Sequence, residues 1–177
     1  MSKILERKNL YNGYLKVDSL KIINDRDQVM DLEVIKRKNA VSSLVKNTKT
    51  GKFIFVNQWR PGVEDYITET VAGTIIPGED PQECLIREIE EEIGYKVDYT
   101  KFLYECYTSP GADTEKINIF YSEVSEKISS GGGLEEEGET INTIELSEKE
   151  LSNYTFKDAK TIISILHYQV SQLQGIK

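Results

Sequence analysis

Apolar and polar positions alternate over residues 14–23 (YLKVDSLKII) and again over 29–37 (VMDLEVIKR), with Asn24-Asp25-Arg26-Asp27 between them. A period of two marks a half-buried strand, and an Asn/Asp cluster marks a turn, so the pattern predicts an antiparallel hairpin near the start of the chain. A second hairpin follows, with 40–46 and 53–59 flanking the turn from Asn47 to Gly51. Residues 66–71 and 74–76 read as extended around Ala72-Gly73, and 81–93 as helical. Strands at 97–107 and 116–125 lie on either side of Ser109-Pro110-Gly111. Residues 127–139 form a Gly-rich, acidic loop, and 140–146 a strand. From about 157 to 173 the period changes to that of a helix, with Ala159, Ile162, Ile163, Leu166, Val170 and Leu173 on one stripe. Strands first, then strands and helices mixed, predict an α/β chain with a mixed sheet and helices packed on it. The first 38 residues read as a β-hairpin subdomain ahead of a domain over 39–177.

Composition narrows the class. The 177 residues suffice for a core without disulfides or structural metal. No apolar run approaches 18 residues, and Met1–Glu6 has no apolar signal core. Cys84 and Cys106 stand in no metal or redox spacing, so the sequence reads as a reduced, cytoplasmic protein with no membrane partner. A single histidine, His167, excludes His-rich zinc sites. Thirty Asp+Glu against 22 Lys+Arg give a net charge of -8, which argues against a nucleic-acid binder. The excess is local: residues 79–92 hold seven acids and one base, and 135–139 hold four acids, so the rest of the chain is slightly basic.

Within the helix at 81–93, Asp80 is placed to cap, Pro81 suits the first position, and Glu83 sits where a capping-box acid belongs. Ile86, Ile89 and Ile93 form its predicted buried stripe. Glu88, Glu91 and Glu92 fall at i, i+3 and i+4 on a neighbouring face. Like charges at that spacing cost about 0.3 kcal/mol per pair, and the C-terminal half of a helix disfavours anions. The spacing alone leaves two readings open: an oxygen-only site for Mg²⁺ or Mn²⁺, or a solvated charged face.

Residues 73–95, GTIIPGEDPQECLIREIEEEIGY, resemble the Nudix box, G-x5-E-x7-R-E-U-x-E-E-x-G-U with U bulky and aliphatic. Gly73, Glu79, Arg87, Glu88, Ile89, Glu91, Glu92 and Gly94 are in register, and Tyr95 replaces the last aliphatic. The resemblance implies the Nudix fold, an α/β/α sandwich. It also implies two or three divalent ions, Mg²⁺ with Mn²⁺ as the alternative, held by Glu88, Glu91, Glu92 and the backbone carbonyl of Ala72. Arg87 and Glu79 would orient those glutamates. The implied activity is hydrolysis of a diphosphate linked to some moiety.

Features outside the box resemble the ADP-ribose and GDP-mannose pyrophosphatases of that family. They are Pro110 with Glu115, the loop GGGLEEEGETI over 131–141, Phe-Val-Asn-Gln-Trp-Arg over 55–60, and Asp-Ala-Lys-Thr over 158–161. The resemblance implies substrate contacts from Tyr14, Arg60, Glu115 and Lys160. It points to Glu137 as general base, with Glu136 as the alternative, and to Glu139 as a late metal ligand. The three glycines at 131–133 are read as giving that loop mobility. Trp59 and Tyr107 are candidates to stack a base, with core packing as the alternative.

The substrate implied is a nucleotide sugar. ADP-ribose is favoured by the short Arg60-to-Ala72 loop, and GDP-mannose by the glycine triplet. A nucleoside-triphosphate sanitiser and a ligand sensor without catalysis are the remaining alternatives. Family members are commonly homodimers with exchanged N-terminal subdomains, which would bring Tyr14 to the partner's site.

Overall fold

A computed structural model describes residues 1–134 and 140–175. The chain divides into two compact units, Met1–Asn39 with Cys106–Ile117, and Ala40–Glu105 with Asn118–Lys177.

In the first unit, β1 (Lys3–Asn12), β2 (Lys16–Ile23) and β3 (Val29–Lys36) form an antiparallel sheet in the order β1-β2-β3. The hairpin read from the sequence is therefore a three-stranded sheet. β1 is exposed along its whole length and has no apolar alternation to announce it. Arg7 on β1 donates to the buried carboxylate of Asp18 on β2 at 2.8 Å, and Lys36 stands 3.7 Å from the same group. Those cations hold the Asp18 carboxyl below the usual range, with the Arg7 hydrogen bond the largest cause.

The second unit is built on a seven-stranded sheet. β4 (Ala40–Asn47), β5 (Phe53–Arg60), β8 (Tyr95–Tyr107), β9 (Lys116–Lys127) and β10 (Asn142–Leu146) run in the order β10-β5-β4-β9-β8. β6 (Asp65–Glu69) pairs with β5, and β7 (Val71–Thr74) pairs with β4. Side-chain parity separates two cores. Val41, Val45, Ile54 and Val56 pack against Leu85, Ile89 and Ile93 of α1 (Pro81–Ile93). The opposite parity, Leu44, Phe53 and Phe55, packs against Leu151 of α2 (Glu148–Leu151) and against Ile165 and Tyr168 of α3 (Ala159–Gln174). Helices thus cover both faces of the sheet, giving an α/β/α sandwich. Among the described residues no helix is long and apolar enough to cross a membrane.

Two helix faces differ from the sequence reading. In α1 the buried stripe runs through Cys84, Leu85, Ile89 and Ile93, while Ile86 is half-buried. In α3 the apolar stripe is exposed: Ile162 and Ile163 are each 38% exposed, Leu166 55% and Leu173 87%. The buried face carries Thr161, Ser164, Ile165 and Tyr168 instead. Its hydroxyls are satisfied, Thr161 by the Thr70 peptide N–H and by Asp158, and Ser164 by the Lys160 carbonyl. A buried face of hydrogen-bonded hydroxyls costs little, so hydropathy alone misplaces it.

Candidate active site

β7 and α1 are joined by a loop whose end is fixed by capping. Asp80 accepts hydrogen bonds from the peptide N–H groups of Gln82 at 2.8 Å and Glu83 at 3.4 Å. Gly94 closes the helix in the left-handed conformation at φ 75°. The helix register then turns Glu92 inward, where it is 4% exposed and accepts from the Ala72 N–H at 3.3 Å. Glu88 lies against the neighbouring residue of the same strand. A Cβ at Gly73 would stand 1.8 Å from Glu88 Cδ, so only glycine leaves that carboxylate its place. Ala72, Glu88 and Glu92 are thereby brought to one strand–helix contact.

Arg87 organises the outer side. Its Nε donates to Glu79 Oε1 at 3.0 Å, and its Nη1 reaches Glu88 at 2.8 Å and Glu91 at 2.9 Å. Glu79 also accepts from the Ile76 N–H at 3.0 Å. The Arg87 hydrogen bond, followed by that N–H, pulls the Glu79 carboxyl down to about 2. The same bond raises Arg87 further above its ordinary range. Cys84 beneath them is pushed up to about 12, chiefly by burial and then by Glu79.

The glycine triplet at 131–133 meets this helix end. The N–H of Gly132 donates to the Glu92 carbonyl at 2.9 Å, and that of Gly133 to the Glu91 carbonyl at 3.2 Å. Gly131, Gly132 and Gly133 all have positive φ, and a Cβ at Gly131 would stand 2.7 Å from the Glu92 carbonyl oxygen. The triplet read as giving mobility is a built contact, which satisfies carbonyls that a helix C-terminus leaves open. Glu136, Glu137 and Glu139 lie outside the described residues.

Arg60, at the end of β5, and Lys160, at the start of α3, meet on one carboxylate that the sequence reading missed. Arg60 Nε and Nη2 donate to Glu69 Oε1 and Oε2 at 2.7 and 3.0 Å, and Lys160 Nζ donates to Glu69 Oε2. Lys160 also donates to Asp158 at 2.9 Å, and Asp158 caps α3 through the Thr161 N–H. Burial raises the Glu69 carboxyl, but the Arg60 and Lys160 bonds outweigh it and leave a net lowering. The signal in the sequence is Glu69 within Ile67-Thr68-Glu69-Thr70-Val71, an acid in a stretch of strand-forming residues, which needs a cation from elsewhere in the fold once that stretch is buried.

Tyr14 and Glu115 belong to the first unit. Tyr14 is fully exposed in the turn between β1 and β2, and Glu115 stands 3.8 Å from Arg37. Trp59 and Tyr107 are 47% and 55% exposed, so neither is a core aromatic.

The donor set at the strand–helix contact fits a hard divalent cation. It is all oxygen: Glu79, Glu88 and Glu91 gather about the one guanidinium of Arg87, and Glu92 stands at the Ala72 N–H. Among the described residues no three acids, histidines or cysteines already stand as a preformed metal-binding group.

Fold and site together define an α/β/α sandwich that presents the glutamates of one helix beside a glycine-bearing strand. The chain belongs to the Nudix family: the NUDIX domain model matches residues 36–164. It is similar to the methanol dehydrogenase activator of Bacillus methanolicus, at 30% identity over 96% of this chain and 94% of that protein. It is similar also to the GDP-mannose pyrophosphatase of Yersinia enterocolitica, at 33% identity over 81% of this chain and 78% of that protein. A solved structure described as an ADP compounds hydrolase has the same fold, with a TM-score of 0.82 at 21% identity over 98% of this chain and 96% of that one.

Proposed function

We propose that the protein hydrolyses the diphosphate bond of a nucleoside diphosphate sugar. The observation that carries this reading is the meeting of Ala72, Glu88 and Glu92 at one strand–helix contact, with Arg87 fixing Glu88 and Glu91 from outside. Two or three divalent cations, Mg²⁺ or Mn²⁺, held by Ala72, Glu88, Glu91, Glu92 and Glu139 would polarise the diphosphate and acidify water. The chain's own residues do the rest. Arg87 and Glu79 keep the ligand glutamates oriented. Arg60 and Lys160 offer donors to the anionic substrate, and Arg60 is 40% exposed for that purpose. Glu137 takes the proton of the attacking water, which enters in line with the bridging oxygen. Glu115 meets a sugar hydroxyl, and Tyr14 contacts substrate, at the partner's site where the chain is an exchanged homodimer.

ADP-ribose would give AMP and ribose 5-phosphate. The relatives described as GDP-mannose pyrophosphatases favour a second substrate, which would give GMP and mannose 1-phosphate. A ligand sensor without catalysis has no need of the box glutamates, all of which this chain keeps. The test is a panel of nucleotide sugars with Mg²⁺ and product identification: nucleoside monophosphate plus sugar phosphate supports the reading. Release of pyrophosphate from a nucleoside triphosphate would replace it with a sanitising hydrolase.

A further inference from the structure

We propose that Glu69 is a positioning residue for the diphosphate, holding the Arg60 guanidinium and the Lys160 ammonium as one fixed cationic array. The inference rests on the hydrolase reading above and adds a residue to it. Glu69 closes β6, and Ala72, whose N–H is held by Glu92, follows three residues later. Its carboxylate takes both Nε and Nη2 of Arg60 in a fork and also takes Lys160 Nζ. Arg60 Nη1 carries no hydrogen bond among the described residues.

The array is closed at the carboxylate and open at the guanidinium. The side chains of Glu69 and Lys160 are 5% and 14% exposed, while that of Arg60 is 40% exposed. Burying such a charge cluster is a poor way to gain stability, because apolar residues of the same volume do as well. What a fixed fork supplies is a guanidinium whose remaining donors need no ordering when an anion arrives. Arg60 also lies within electrostatic range of Glu92, which places its charge near the carboxylates of α1. Lys160 is locked twice, to Glu69 and to the helix-capping Asp158. The array is thus anchored to β5, β6 and the first turn of α3 together.

The test is steady-state kinetics of Glu69→Gln, Arg60→Ala and the double variant with Mg²⁺ and whichever of ADP-ribose and GDP-mannose the wild type hydrolyses. Glu69→Gln is expected to raise KM about tenfold or more with kcat little changed, the loss expected for a charged hydrogen-bond partner. Glu69→Gln should cost less in the Arg60→Ala background than alone, because most of its effect passes through that guanidinium and only the Lys160 part remains. An unchanged KM in folded Glu69→Gln overturns the proposal, and so do losses that multiply in the double variant. Should Glu69→Gln fail to fold, Arg60→Lys keeps Glu69 and the charge but removes the fork. A raised KM then supports the proposal, and an unchanged KM overturns it. A wild type that hydrolyses neither nucleotide sugar overturns both this proposal and the function it rests on. A wild type that turns over beside an unaffected Glu69→Gln overturns this one alone.

Discussion

The carboxylate of Glu88 fills the space that a side chain at position 73 would need, with the ideal Cβ 1.8 Å from Glu88 Cδ. Gly73→Ala must therefore move Glu88 or the strand. We expect it to lower kcat at least about tenfold and to raise the Mg²⁺ concentration needed for half-maximal turnover. A Mg²⁺ titration of turnover checks this, and a wild-type profile for Gly73→Ala refutes it.

Glu92 is the buried member of the carboxylate set and holds the Ala72 N–H. Glu92→Gln keeps a hydrogen-bond acceptor for that N–H but loses the charge. Turnover should fall by about two orders of magnitude or more while the thermal midpoint stays near that of wild type. Near-wild-type turnover would sink the assignment of Glu92 as a metal ligand.

Glu79 gives an acid-limb prediction. Its folded-state value, about 2, lies below the ordinary 4.5, so the unfolded chain binds a proton before the folded one does. Stability from the Arg87 pair is then present above about pH 4.5 and is lost as pH falls toward 2. Urea unfolding at a series of pH values should show a shallower acid limb for Glu79→Gln than for wild type in that window.

The two thiols should differ in reactivity. Cys84 is buried and pushed up to about 12, whereas Cys106 is half-buried. Intact-mass measurement after iodoacetamide at pH 8 should find one adduct on the native protein and two in denaturant. Modification of native Cys84 at the rate of Cys106 would contradict the packing beneath Arg87.

Adjacent positions on α3 test the assigned face. Ile165 is 6% exposed and Leu166 55% exposed. Ile165→Ala should cost about 2–5 kcal/mol and Leu166→Ala within about 0.5 kcal/mol, measured by urea denaturation. Equal losses at the two positions would place the buried face elsewhere.

What was legible in the sequence was local. Asp80, Pro81 and Gly94 define α1 by capping chemistry that acts within a few residues, and the helix runs over Pro81–Ile93 as read. β5 opens on the continuous apolar run Phe53–Val56 because helices cover both faces of its sheet, and the hairpin it makes with β4 was legible too. What escaped depends on distant partners. β1 is tied down by Arg7 reaching Asp18 on the next strand, not by an apolar face. The inner face of α3 is polar because Thr70 and Asp158 satisfy it. Glu69 became visible only when the fold brought Arg60 and Lys160 to it. The glycines at 131–133 were seen, but their left-handed contacts with the end of α1 were not. The reason lies in where those chain segments meet.

The acid excess of this chain sits in two short segments, and one measurement tests most directly what those acids do. The purified chain is incubated with ADP-ribose and with GDP-mannose, with Mg²⁺ and with chelator, and the products are identified by mass. The expected result is a nucleoside monophosphate and a sugar phosphate from at least one substrate, formed only with Mg²⁺ and lost in Glu92→Gln. No monophosphate from either, or equal turnover in chelator, would contradict a cation-dependent hydrolase built on these glutamates.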